Sequence, residues 1–192
     1  MGESRRMGRP KHLLRHQSSG QPLLHWQWQR LAPHFARSLI LSGSTELEVF
    51  EDGIQVTDPQ EFVGQGPLAA LLSALESVQP DSWVAVLAVD YPYFPVEAFQ
   101  EAEERLAHHD GLVFCDEESQ RHWLCAFYHA RLATPLRESL SEGERAVKRF
   151  MAQRDIRYHP LTSLRGDRAF LNLNRPEDLR ETEFQLSFRP VR

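Results

Sequence analysis

The fold class this sequence predicts is α/β: a single doubly wound, mostly parallel sheet with helices on both faces. Three observations predict it. Apolar runs of strand length alternate with segments of helical period along the chain. Trp83 to Val89 (WVAVLAV) is seven apolar residues in succession, the pattern of a strand buried on both faces, as in a parallel sheet. Asp58 and Asp90 each follow such a run, and in wound sheets ligands bind beyond the carboxyl ends of the strands.

The elements follow in order. Pro22 to Phe35 reads as a helix, with Leu23, Leu24, Trp26, Leu31 and Phe35 as its buried positions. Ser38 to Ser42 and Gly53 to Thr57 are short strands. Gly64-Gln-Gly-Pro67 is a turn opening a helix from Leu68 to Val78, with proline in the first turn. After the strand ending at Asp90 comes a helix from Pro95 to His109, then strands over Gly111 to Cys115 and Trp123 to Tyr128. Helices are expected over Ala130 to Ser139 and Glu144 to Gln153. Ala169 to Asn174 reads as a strand, followed by an Arg175-Pro176 turn and a final helical piece. Glu183 to Arg192 is a tail with no assigned role.

Composition narrows the class. The 192 residues fit one domain, and 41% hydrophobic content supports a sizeable core. A net charge of -5 argues against nucleic-acid binding through bulk charge. Two cysteines, Cys115 and Cys125, form neither a disulfide framework nor a zinc signature. No apolar run reaches the roughly 18 residues of a membrane span, and the charged N-terminus is not followed by the apolar stretch of a secretory signal. The expectation is a cytoplasmic protein without membrane or nucleic-acid partners.

Four segments could carry chemistry, and each has a plainer reading. Gly2 to Lys11 holds glycines, Arg5, Arg6 and Lys11 within ten positions. Glycine lets backbone N–H groups approach phosphate, arginine grips phosphate oxygens in a fork, and lysine acts as a point charge. The plainer reading is a disordered basic terminus. Asp90 could hold a magnesium ion bridging phosphates, or serve as a turn aspartate. The Gly64–Ala69 loop could admit a base or ribose, or open a helix. Strand alternation would put the amides of Asn172 and Asn174 on one face, as a binding pair or a solvated edge. The histidines form no ligand set, and a core or polar-network role fits His122 best.

In order along nearly the whole chain, these pieces resemble the molybdenum cofactor guanylyltransferases within the MobA-like nucleotidyltransferases. Gly2-Glu-Ser-Arg-Arg-Met-Gly-Arg-Pro-Lys11 is similar to the family's L-A-G-G-x-S-x-R-M-G-x-x-K from its second glycine on. Gly64-Gln-Gly-Pro-Leu-Ala-Ala-Leu-Leu72 resembles G-x-G-P-L-A-G-[LM]-L, and Leu87-Ala-Val-Asp-Tyr-Pro-Tyr93 resembles the strand-end C-D-x-P. Arg121-His-Trp-Leu-Cys-Ala126 is similar to H-P-x-x-A. Gly143-Glu-Arg-Ala-Val-Lys-Arg-Phe150 and Phe170-Leu-Asn-Leu-Asn-Arg-Pro-Glu-Asp-Leu179 resemble its late helix and its N-x-N-x-P-E-[DE]-L ending, the pieces that point to the guanylyltransferase in particular.

The resemblance implies a Rossmann-like nucleotidyltransferase domain over residues 1–182, with 183–192 as a C-terminal tail. It implies transfer of GMP from GTP to molybdopterin, with release of pyrophosphate. Gly2, Arg5, Arg6 and Lys11 would hold the triphosphate, with Lys11, Arg5 and Asp90 as the catalytic set. Asp90 would bind Mg2+, Asp58 would lie near the nucleotide, and Gly66, Pro67 and Leu68 would approach the base. Asn172 and Asn174 would contact molybdopterin. Molybdoenzymes or their chaperones are the implied protein partners.

Three departures stand out. The family's first strand and first glycine are absent, with Met1 in the glycine's place, so a central strand is expected to be missing. Ala70 replaces a glycine near the purine, and Trp123 replaces the proline of H-P. A cytidylyltransferase of the same cofactor is the close alternative. A non-catalytic truncated paralogue acting as a binding module is the alternative from a different class.

Overall fold

The protein is described by a computed structural model covering residues 11–43, 53–161 and 168–185. Gly2, Arg5 and Arg6 lie outside the described residues. The chain is α/β, and its architecture is set by a four-stranded sheet in the order β4-β6-β5-β7: β4 (Trp83–Leu87), β5 (Gly111–Cys115), β6 (Arg121–His129) and β7 (Ile156–Pro160). β5 and β7 are parallel, while β6 runs antiparallel to both β4 and β5. β2 (Leu39–Gly43) and β3 (Ile54–Thr57) form a separate parallel pair, and β1 (Arg15–His16) and β8 (Phe184–Gln185) a short antiparallel one.

The expected single, mostly parallel sheet is therefore corrected to a mixed one. Only five residues, 116–120, connect β5 to β6, whereas a parallel return needs a crossover of a dozen or more. The Asp116 carboxylate accepts from Gln120 N at 2.8 Å and Ser119 turns at φ 63°, which closes the hairpin. β7 was not expected, because Ile156-Arg-Tyr-His-Pro160 lacks a strand's clean alternation. It stands at the edge beside β5, where the missing N–H of Pro160 is tolerated.

Helices cover both faces of this sheet. α2 (Pro67–Glu76), α4 (Ala133–Ser141) and α5 (Val147–Met151) bury Leu68, Leu72, Leu136 and Phe150 with Val86, Val113, Ala126 and Tyr128. α3 (Val96–Glu103) buries Phe99 with Phe94, Leu112, Phe114, Cys125 and Phe127 on the opposite face. Alternation along β5 and β6 sends neighbouring side chains into the two layers. At Gly111 the strands close in: a Cβ there would stand 2.9 Å from the Tyr128 ring and 3.0 Å from the Phe127 carbonyl oxygen. Ser73 of α2 donates to Thr57 O at 2.8 Å, tying β3 to the same layer.

α1 (Leu23–Leu31) continues as a 3-10 turn, Ala32–His34, and buries Leu23 and Gln27, while Leu24, Trp26, Leu31 and Phe35 stay half-buried. α3 stops at Glu103 rather than His109: the chain turns through Ala107 at φ 37° and tucks Leu106 into the core. α5 begins only at Val147, because the Glu144 carboxylate takes the N–H groups of Arg145 and Ala146 in a tight turn. Ala169 to Asn174 is not a strand. It has no ladder, and Leu173 N donates to Asp90 O at 2.9 Å while Asn174 N donates to Asn172 O at 2.9 Å.

A third core brings the two ends of the described chain together. Leu14, Leu23, Leu173 and Phe184 are buried there, with Trp26 and Tyr93 packed against them. Phe184 meets the Trp26 ring edge-on at 5.2 Å and the His16 ring at 5.4 Å. The expected tail is thus part of the fold through Gln185. Phe184→Ala should lower unfolding free energy by about 3–5 kcal/mol, a large share of the roughly 5–15 kcal/mol of a typical domain. Urea denaturation measures this, and an unchanged midpoint would show the packing to be dispensable.

Candidate active site

The turn after β4 is where the sequence candidates meet. β4 ends at Leu87, and Tyr91 N donates back to Ala88 O at 3.2 Å, which turns Asp90 out beyond the strand's carboxyl end. α1 clamps the next residues: Gln27 Nε2 donates to Tyr91 O at 3.0 Å and Arg30 Nη1 to Pro92 O at 2.5 Å. Lys11 opens a 3-10 helix, Lys11–Leu13, whose following residue Leu14 is anchored in the third core. Its ammonium donates to Asp90 Oδ2 at 2.9 Å and to Asn174 Oδ1 at 2.7 Å. Leu173, beside Asn174, is pinned to the same turn through Asp90 O and buried in the third core.

Lys11, Asp90 and Asn174 therefore form one constellation drawn from three distant parts of the chain. The Lys11 and Asp90 side chains are 14% and 21% exposed, so their pair is shielded from solvent more than a surface bridge is. The Asp178 carboxylate accepts from the N–H groups of Asn174 and Arg175 at 2.8 and 2.7 Å and fixes the start of the helical turn Pro176–Glu181.

Asn172 goes elsewhere. Its Oδ1 is buried without a hydrogen-bond partner while Asn174 is exposed, and their segment is not a strand, so the two asparagines are not a pair on one strand face. Tyr91 Oη lies 3.3 Å from His122 Nδ1, and His122 Nε2 lies 3.2 Å from Asp116 Oδ2. Phe170 stacks on the His122 ring, with centroids 3.8 Å apart. Burial pushes the His122 pKa down against the pull of Asp116, so the ring is neutral at neutral pH. The polar-network reading of His122 holds. Its placement beside Tyr91 has no local signal in the sequence, because it depends on the β5–β6 hairpin that delivers Asp116.

The glycine loop borders β3. Asp58 is buried after that strand, and its Oδ2 accepts from Gly64 N at 3.1 Å. Asp58 thereby shapes the loop, and its Oδ1 is buried without a partner. Gly64 and Gly66 have φ of 73° and 88°, the left-handed region that glycine adopts freely, and a Cβ at either would meet nothing within 4 Å. The space above both is open to a ligand. The Leu68 side chain is fully buried in the core, whereas Gly66 and Pro67 are exposed.

Among the described residues no group of three or more His, Cys, Asp or Glu side chains gathers for a metal. Asp90 offers a single carboxylate whose Oδ2 is engaged by Lys11. That suits a magnesium ion completed by phosphate oxygens and water, the mode in which one carboxylate suffices.

The family model described as MobA-like NTP transferase domain matches residues 2–159. The chain is similar to the probable molybdenum cofactor guanylyltransferase of Bacillus licheniformis, 30% identical and covering 95% of this chain and 92% of that one. A relative of the same description from Opitutus terrae is 34% identical, over 92% of this chain and 88% of its own. Among solved structures, the molybdopterin-guanine dinucleotide biosynthesis protein A of Archaeoglobus fulgidus superposes with a TM-score of 0.76 at 23% identity, covering 95% and 93% of the two chains. The 2-C-methyl-D-erythritol 4-phosphate cytidylyltransferase of Thermus thermophilus superposes at 0.67 with 15% identity over 91% and 92%, which shows a shared fold alone.

Proposed function

The chain belongs to the MobA-like NTP transferase family, and we propose that it is a cytoplasmic molybdenum cofactor guanylyltransferase that transfers GMP from GTP to the terminal phosphate of molybdopterin. The observation that carries this reading is the convergence of Lys11, Asp90 and Asn174 beyond the carboxyl end of β4. A phosphate oxygen of molybdopterin attacks the α-phosphorus of GTP in line. The bond to the bridging oxygen breaks, and pyrophosphate leaves with that electron pair.

The protein's part is positioning and charge neutralisation rather than covalent chemistry. The Lys11 ammonium meets triphosphate oxygens, held at its post by Asp90 and Asn174 until substrate arrives. Gly2, Arg5 and Arg6 are proposed to complete the phosphate loop, and the backbone of Gly64 to Pro67 to border the purine. Asp90 would hold Mg2+, which when bound neutralises charge on the phosphates.

Lys11→Ala should lower kcat/KM for GTP by about 2–4 kcal/mol in transition-state stabilisation. Asp90→Asn keeps the shape but drops the charge a hard cation needs, so it should raise the Mg2+ concentration for half-maximal rate. Both are read in a GMP-transfer assay run alongside CTP and ATP. Wild-type rates and Mg2+ dependence in both variants would remove the constellation from the reaction, and faster CTP transfer would make the chain a cytidylyltransferase.

A further inference from the structure

β7 ends the four-stranded sheet, and its backbone turns hydrogen-bonding groups away from it. Asp155 O accepts from Asp110 N at 2.8 Å, and Leu161 N donates to Cys115 O at 2.9 Å. Main-chain groups alternate sides along a strand, so the odd-numbered residues spend theirs on β5 while Ile156 and Tyr158 turn N–H and C=O outward. Among the described residues no strand pairs with that outer edge. A row of free donors and acceptors is a template for a further strand, and Pro160 blunts only its far end.

The side chains along this edge select the strand that fits. Asp155 and Arg157 stand on one face, two residues apart and opposite in charge. The Asp155 side chain is 66% exposed, and only its Oδ2 is engaged, by His109 Nδ1 at 3.0 Å. Arg157 is exposed and has no ion pair among the described residues. The other face carries Ile156, half-buried against the α2 layer, and Tyr158, 40% exposed, with the Arg121 guanidinium 4.1 Å from its ring centre. Arg154 precedes the strand on that face, its guanidinium over the Phe150 ring.

We propose that β7 is a self-association edge, on which a second copy of this chain adds its own β7 antiparallel across a twofold axis and joins the two sheets edge to edge. A twofold pair of this kind can be centred on Ile156, Arg157 or Tyr158. Centring on Arg157 sets two arginines face to face, and centring on Tyr158 sets Ile156 against Pro160, which has no N–H to give. Centring on Ile156 places Asp155 opposite Arg157 of the second copy, twice by symmetry. Both residues spend their main-chain groups on β5, so across the new edge they form the non-hydrogen-bonded pairs, in which opposed side chains come closest. On the other face Tyr158 comes opposite Arg154 of the second copy, an arginine–aromatic contact. Two strands separate β7 from β4, so this pairing lies away from Lys11 and Asp90 and is independent of the transfer reaction.

Sedimentation velocity on the whole chain, from about 1 to about 100 μM, measures the association, and wild type should pass from monomer to dimer over that range. Asp155→Arg and Arg157→Asp each turn two attractive cross-strand pairs into repulsive ones and should weaken association about tenfold. The double variant restores opposite charges in exchanged places and should recover most of the loss, which a misfolded protein could not do. Amide exchange in the wild type needs no variant: the Ile156 N–H should exchange more slowly at the high concentration than at the low one. A wild type that stays monomeric at about 100 μM would overturn the proposal and leave this edge to a different partner. Single variants that dimerise as wild type does, a double variant no better than the singles, or an Ile156 amide indifferent to concentration would overturn it as well.

Discussion

One ammonium group holds the candidate site together. Lys11 Nζ reaches a carboxylate 79 positions along the chain and an amide 163 positions along it, and both contacts are short. Everything else in the architecture serves to bring those three groups to one place. β4, flanked by β6, ends where Asp90 turns out. The third core buries Leu14 beside the lysine's segment and Leu173 beside Asn174, so the two outer segments arrive already packed. Gln27 and Arg30 of α1 fasten the backbone just past Asp90. A lysine and an aspartate shielded to this degree need each other: leaving either without its partner would strand a charge away from water.

That arrangement suits phosphoryl chemistry, because the reaction asks for placed charge rather than for a nucleophile. An ammonium parked on an aspartate and an asparagine is preorganised and can hand its donors to an incoming triphosphate. A neighbouring hydrogen-bond chain through Tyr91, His122 and Asp116 braces the same turn one residue beyond Asp90.

Much of this was legible in the sequence, for identifiable reasons. β5 reads directly, because all five of its residues are buried and apolar or glycine. α2 reads from Pro67 and its leucine spacing. The antiparallel β6 is also legible, since the seven residues between the apolar runs ending at Cys115 and beginning at Trp123 are too few to return a parallel strand. β7 was hidden by its charged and polar edge positions. Ala169 to Asn174 alternates like a strand but finds no ladder, and its backbone is spent on the Asp90 turn. Phe184 could not be placed from sequence, because its burial depends on Trp26 and His16 at the other end of the chain. Asp90 and Lys11 stand out by residue type and position, after a strand and among glycines, whereas the burial of the Leu68 side chain shows only in the packing. The link from Asp116 through His122 to Tyr91 has no sequence signature.

The central claim is that Lys11 and Asp90 act as one unit. A double-mutant cycle in urea denaturation with Lys11→Met, Asp90→Asn and the double variant measures that coupling directly. The account predicts that the double variant loses less stability than the sum of the single variants, by about 0.5–3 kcal/mol. Losses that add to within about 0.3–0.5 kcal/mol would contradict it, because two independent side chains would then stand where the structure places a single charged pair.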